Sequence, residues 1–565
     1  MGYAGVQPGP YYGGEPTQSL MRGFSAFFAL ALIVAPVRAQ HTYSDSYPKN
    51  PGIDVQNYVF EVTLSDESDT IQGRTTVDAR FLEESRSLRL DLIERSEALE
   101  GKGMTVESVW LGEDELSWQH EDDAVLIDLG RVVEAGERIQ VEVAYSGVPA
   151  AGLRIGENKH GDRTFFSDNW SSRVRNWLPT VDHPSDKAST EFIVTAPAHY
   201  QVVSNGLRIE ETDLEGDFRL THWKSSVPIA TWLYFLGVAE FAMQQVDTFD
   251  GKAVETWVYR QDRDKGFYDF AIPSKQVLTF FSDLVGPYAY ERLANVVSPA
   301  TGGGMEAAST PAYGEASVTG ERTRRWQIVI IHEIAHQWFG NAVTESHWND
   351  VWLSEGFATY YTLLFREYAY GHDDFIAGLK DSRERIVTFY KDDYDFQLVR
   401  PYVEDLNDVS GGMMYQKGAW TLHMLEEMLG RDTYNKGVRA YYAEHFNGNV
   451  QTEDFKRAME EASGMDLDGY FDQWLFQGGI PHLEVSWGQD NGTLEVDLKQ
   501  TQETYSFDLQ VDIEIRFEDG STERATVAVE GMDAAKIQVG YDTAVTEVVV
   551  DPDTRLLASW EVSRR

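Results

Sequence analysis

His332-Glu333-Ile334-Ala335-His336, followed after a gap of eighteen residues by Glu355, decides how the rest of the chain is read. On a helix, positions i and i+4 stand one above the other on the same face. His332 and His336 therefore offer two imidazole nitrogens to one point, each about 2.0–2.1 Å from a zinc ion placed there. Glu333 lies roughly 100° round the helix and reaches the edge of that point, which suits proton transfer with water better than ligation. The third ligand comes from elsewhere: Glu355, in Trp352-Leu353-Ser354-Glu355-Gly356-Phe357-Ala358, opens a second helical pattern. Two histidines and one carboxylate leave a fourth position for water, the arrangement of a catalytic zinc site. Core histidines and surface glutamates on unrelated helices would spell the same letters. The setting argues against that, because Trp326 to Phe339 is apolar and burying unpaired ionisable groups there costs several kcal/mol.

Outward from this motif the periodicity is helical. It predicts helices over about 273–285, 323–339, 354–370, 374–390, 413–429, 431–445 and 452–463, with Gly340 and Gly464 placed as helix terminators. Upstream, from about Asp54 to Phe241, short runs alternate with period two, as in Tyr58-Val59-Phe60-Glu61-Val62-Thr63-Leu64 and Ile139-Gln140-Val141-Glu142-Val143. That is the pattern of half-buried antiparallel strands, and Trp257-Val258-Tyr259 reads as one more strand. After Gln477-Gly478-Gly479-Ile480-Pro481 the alternation returns, and Val548-Val549-Val550 closes it as a buried strand. The fold class is therefore multidomain α+β: an all-β domain over 40–245, a mostly helical catalytic domain over 246–479 and a β-sandwich over 480–565.

At 565 residues the chain is too long for one core, and 42% hydrophobic residues with fifteen tryptophans are ample for folded domains. The apolar run Phe24 to Val34, preceded by Met21-Arg22 and followed by Val37-Arg38-Ala39, reads as an export signal cleaved near Gln40. It is shorter than the roughly 20 residues needed to span a bilayer, so no integral membrane segment is expected after its removal. Residues 1–20, rich in glycine, proline and tyrosine, do not belong to such a signal, and the expected start is Met21. There is no cysteine, which excludes thiolate ligands, cysteine nucleophiles and disulfides. A net charge of −44 argues against nucleic acid or an anionic membrane as partner. Spread along the chain, it also predicts adaptation to high salt, where ions screen the self-repulsion.

Five segments share one likeness. His332 to Gly340 reads HEIAHQWFG and is followed by Asn341; Trp348 to Ala358 reads WNDVWLSEGFA. Gly303-Gly304-Met305-Glu306 stands upstream, Tyr415-Gln416-Lys417-Gly418-Ala419 downstream, and Trp177 to Lys187 reads WLPTVDHPSDK. Together they resemble the zinc aminopeptidases of peptidase family M1, which include aminopeptidase N and the leukotriene hydrolases. The resemblance implies an N-terminal β-saddle, a thermolysin-like catalytic domain and a β-sandwich. It further implies one zinc ion on His332, His336 and Glu355, Glu333 as general base and Tyr415 as oxyanion stabiliser. Peptide substrates would be bound at Gly303, Gly304 and Met305, with Glu306 on the free α-amine. A carboxylate at the end of a cleft suits that role, because charge-assisted hydrogen bonds fix an ammonium while longer chains are blocked.

The chain departs from the family pattern at three places. Ser354 stands where asparagine is usual, Ala307 replaces the final asparagine of the G-x-M-E-N signature, and Trp170 falls near the position of a glutamine beside the amine site. The sequence also stops after the predicted sandwich, so the likeness is to the short form without a large C-terminal helical domain, and a more open site is expected. The rival readings are a zinc endopeptidase of the same fold, favoured by Ala307 and Trp170, and a non-catalytic peptide-binding relative. Epoxide hydrolysis on a lipid has only kinship behind it.

Overall fold

The computed structural model describes residues 43–565 except 272, 410 and 412. The expected export signal and the start at Met21 lie outside the described residues.

The alternating first part forms an eight-stranded sheet. Its spatial order is Leu207–Asp213, Phe218–Ala230, Lys187–Pro197, Ile53–Thr63, Ile71–Phe81, Arg138–Val148, Gly103–Leu111 and Asp114–Glu115. All neighbours are antiparallel except Lys187–Pro197 beside Ile53–Thr63. In Lys187–Pro197 every second residue is buried, which puts Phe192 and Val194 into a core shared with Trp177, Trp232 and Tyr234. Two smaller sheets cover it: one has the order Leu153–Glu157, Arg163–Ser167, Leu236–Ala239 and Gln201–Ser204, and the other Ser85–Asp91, Ala124–Val133 and Ser117–Glu121.

The following region is mostly helical, as the periodicity predicts, and adds one sheet to its helices. Trp257-Val258-Tyr259 belongs to a five-stranded sheet, ordered Phe241–Phe249, Lys252–Tyr259, Leu293–Ser298, Ala312–Gly314 and Gly304–Met305. A domain boundary at 245/246 would cut its first strand, which pairs along its length with Lys252–Tyr259. Leu293–Ser298 is buried at all six positions and shows no alternation, while the last two strands are too short for any period. The short strand Gly304–Met305 is the terminal one of this sheet.

The helices are α1 (Arg263–Phe270), α2 (Ser274–Leu284), α3 (Arg324–Ala335), α4 (Trp352–Tyr370), α5 (His372–Phe389), α6 (Met414–Leu429), α7 (Arg431–Glu444), α8 (Thr452–Ser463) and α9 (Asp468–Phe471). Helix α1 was not expected, because Gly266 and four charged residues blur its period. Its glycine lies against Lys252–Tyr259, where a Cβ would come within 2.5 Å of Val258 Cγ1. The helix expected over 323–339 ends four residues early. After Ala335 the backbone tightens to i→i−3 bonds at Gln337 and Trp338, and Gly340 at φ +106° turns the chain.

The C-terminal strands form two facing layers. One holds Ala535–Gly540, Thr493–Gln500, His482–Asp490 and Ser559–Arg564; the other holds Thr522–Val529, Leu509–Phe517 and Val545–Val550. Alternate residues of both, such as Val485, Val496, Val511 and Ile513, are fully buried, as a sandwich requires. The run Val548-Val549-Val550 is buried on one face only, with Val549 half-exposed to the other side.

Candidate active site

Helix α3 carries His332 and Glu333, and His336 caps it with helical dihedrals, so the i, i+4 geometry survives the early end of the helix. The two Nε2 atoms face each other at 3.0 Å with ring planes at 90°. Glu355, in the first turn of α4, brings Oε2 to 3.4 Å from His332 Nε2 and 3.2 Å from His336 Nε2. Each of the three residues offers one ligand atom, and these atoms lie within 4.8 Å of one another. His336 Nδ1 faces the Phe339 carbonyl at 3.2 Å and Ser354 Oγ at 3.1 Å. With its hydrogen on that nitrogen, the lone pair of Nε2 points into the cluster. Lone pairs converging at this range, with a buried Glu355 Oε2 that has no hydrogen-bond partner among the described residues, call for a cation between them. The donor set, nitrogen, nitrogen and carboxylate oxygen, fits zinc.

Ser354 is thus the orienting group beside His336, and the departure from asparagine keeps a polar atom there. Gly340 also belongs to this arrangement, because a Cβ on it would sit 2.2 Å from Ser354 Oγ. Two further glycines bring α4 and α6 together: a Cβ on Gly356 would lie 2.9 Å from the Gly418 Cα. That close crossing sets Tyr415 beside Glu355, its hydroxyl donating to Oε1 at 2.6 Å while its ring lies 5.9 Å from that of His332.

Glu333 is buried against the edge strand. Burial, with the Glu306 and Glu355 carboxylates adding to it against the opposing pull of His336, holds its proton affinity well above the usual carboxylate range. The same burial pushes Glu306 up to about 7. Gly304 makes the fit possible, since a Cβ there would come within 2.0 Å of Glu333 Oε1 and 2.5 Å of its Cγ. Only a flexible side chain would have to move, so the expected effect of Gly304→Ala is on chemistry and not on folding. Turnover should fall by about tenfold or more as the carboxylate is displaced, a 1 Å error being enough for such losses. Peptidase assays and thermal melts on the variant check this; full activity would mean that Glu333 is not held by the edge strand.

Glu306 follows that strand directly. Its carbonyl accepts hydrogen bonds from Gln337 Nε2 at 3.0 Å and Asn341 Nδ2 at 2.6 Å, while its side chain is buried with Oε1 unpartnered among the described residues. Gln337 and Asn341 were not singled out in the sequence. Gln337 stands one turn after Glu333, which was the available signal. Ala307 is buried, and Asn341 supplies a polar contact to the neighbouring carbonyl. Trp170 stands edge-on to Trp232 at 4.7 Å and to Trp348 at 5.4 Å, in an aromatic cluster. Gly303, Gly304, Glu306, His332, Glu333, His336, Glu355 and Tyr415 line one cleft of about 540 Å³. Met305 is buried beneath it.

Two family models match the chain: the peptidase M1 N-terminal domain over residues 54–233 and the peptidase family M1 domain over residues 270–474. It is similar to aminopeptidase A of Gloydius brevicauda, 27% identical over 394 residues, covering 66% of this chain and 40% of that protein. Glutamyl aminopeptidase of Bos taurus is 29% identical over 335 residues, covering 56% of this chain and 34% of that one. The chain therefore spans well under half the length of these relatives. In fold it is similar to the M1 zinc metallopeptidase of Deinococcus radiodurans, with a TM-score of 0.64 and 23% identity over 75% of this chain and 93% of that one.

Proposed function

The chain belongs to peptidase family M1, and from that premise we propose that it is a zinc-dependent aminopeptidase that removes residues from the free amino end of peptides. The observation that carries this reading is Glu306, a carboxylate only 5% exposed with an unpartnered oxygen, on the wall of the cleft that holds the three ligand residues. Such a group is answered by a ligand cation, and an α-ammonium offers three donors to it.

One zinc ion per chain, on His332, His336 and Glu355, would polarise the scissile carbonyl and lower the pKa of water towards about 7. The protein groups do the rest. Glu306 anchors the ammonium, so the first peptide bond is the one presented. The terminal strand Gly304–Met305 offers an unpaired edge to the peptide backbone through Gly303 and Gly304. Glu333 accepts the proton of the attacking water and returns it to the leaving nitrogen. Tyr415 turns its hydroxyl hydrogen from Glu355 to the developing oxyanion.

Aminoacyl 4-nitroanilides and N-acetylated peptides, assayed side by side, test the proposal. In Glu306→Ala the free-amine substrates should lose about 10²-fold in kcat/KM, the scale of a buried charge-assisted contact, with the acetylated ones changed far less. Equal losses on both would dismiss the amine anchor, and a wild-type enzyme indifferent to acetylation would be an endopeptidase.

Export is part of the same proposal, supported by the residues 21–39 read above, and N-terminal sequencing of secreted material tests it. So is adaptation to salt, supported by the net charge of −44. Equal melting temperatures at about 10 mM and about 1 M salt, where screening lengths differ roughly tenfold, would remove it.

A further inference from the structure

The cleft does not end at the ligand residues. On α4, Glu355, Thr359, Thr362 and Arg366 all line it, following one helical face for eleven residues, about 16 Å. Opposite them α5 returns antiparallel after the turn at Gly371. Gly378 fixes the register: a Cβ there would lie 2.5 Å from Leu363 Cδ2 and 2.9 Å from Arg366 Nη1. Ser382 and Arg385, four and seven residues further on, then come level with the turn of α4 just beyond Glu355.

This wall is rich in donors. Ser382 is 6% exposed and its Oγ has no hydrogen-bond partner among the described residues, although the residue lines the cleft. Among the described residues Arg385 makes one ion pair, with Asp381 at 2.9 Å, and both side chains are about 60% exposed, so the pair is weak and exchangeable. Four of the five guanidinium donors of Arg385 remain for a ligand, and one surface carboxylate competes for them. Glu306 and Glu333 line the same cleft.

We propose that Ser382 and Arg385 bind the C-terminal carboxylate of short peptides, so that the cleft selects free-acid di- and tripeptides by holding both of their ends. Two extended residues beyond the cleaved bond span about 7 Å, which fits inside the length of cleft that α4 lines. This inference rests on the aminopeptidase reading and adds a substrate class to it. A guanidinium and a hydroxyl on one carboxylate match the bidentate and charge-assisted pattern that recognises such groups.

The test compares a tripeptide X-Gly-Gly as free acid and as C-terminal amide, with X the residue that the zinc-loaded wild-type chain removes fastest from its 4-nitroanilide. The expected wild-type kcat/KM ratio of acid to amide is about tenfold or more, carried by KM. In Arg385→Gln the ratio should fall towards one, and in Ser382→Ala it should fall part of the way. Because each ratio is taken on one protein preparation, a loss of folded material cancels. A wild-type ratio within twofold, or an unchanged ratio in Arg385→Gln, overturns the inference while leaving anilide hydrolysis to support the aminopeptidase reading. If the wild-type chain hydrolyses no free-amine substrate at all, that reading fails and this one falls with it.

Discussion

Glu333→Gln should lower kcat by about 10³-fold, within the 10²–10⁴ range of a lost general base, while zinc content and thermal stability stay at the wild-type level. Glutamine keeps the shape that fills the space beside Gly304 and removes only the capacity to take up a proton. The environment explains why that capacity is large. Glu333 is buried, which raises its proton affinity, and two other carboxylates add to that effect. A cation held by His332, His336 and Glu355 would lower it again, towards the pH at which the water proton must be taken and given back. Steady-state kinetics together with elemental analysis of the same preparation check the expectation. A variant within about tenfold of wild type would assign the base elsewhere.

Tyr415→Phe should cost about 10²–10³-fold in kcat with KM nearly unchanged, the signature of a donor used only as charge develops. The ring remains beside His332 in this variant, so packing is preserved and the hydroxyl alone is removed. Burial, with Glu355 next to it, pushes the phenol pKa far upward, so Tyr415 is a hydrogen-bond donor at every working pH. In the resting geometry that hydrogen is spent on Glu355 Oε1, an acceptor only 2.6 Å away. Transfer of the bond to the oxyanion must therefore compete with a strong existing one, and the gain appears in the transition state. A rise in KM with kcat intact would instead make Tyr415 a substrate-binding residue.

Much of the site was legible because its parts are local in sequence or spaced by a helix. His332, Glu333 and His336 needed only the 3.6-residue turn, and Glu355 needed only a second helical start. What stayed hidden depends on contacts between distant segments. Gly304 against Glu333 and Gly356 against Gly418 look like ordinary glycines until two backbones are seen to approach. Gln337 and Asn341 act through the carbonyl of Glu306, some thirty residues upstream, and no local pattern marks such a pair. The five-stranded sheet escaped because its central strand Leu293–Ser298 is buried on both faces and its edge strand is two residues long. The early end of α3 also escaped, since the apolar pattern continues through Trp338 and Phe339 into a tight turn.

Metal analysis is the most direct measurement of the central claim. The purified full chain, stripped with a chelator and dialysed against zinc, should regain one zinc ion per chain together with its peptidase activity, and His336→Ala should regain neither. Wild-type material that takes up no stoichiometric metal, or a His336→Ala protein that binds zinc as tightly as wild type, would contradict it.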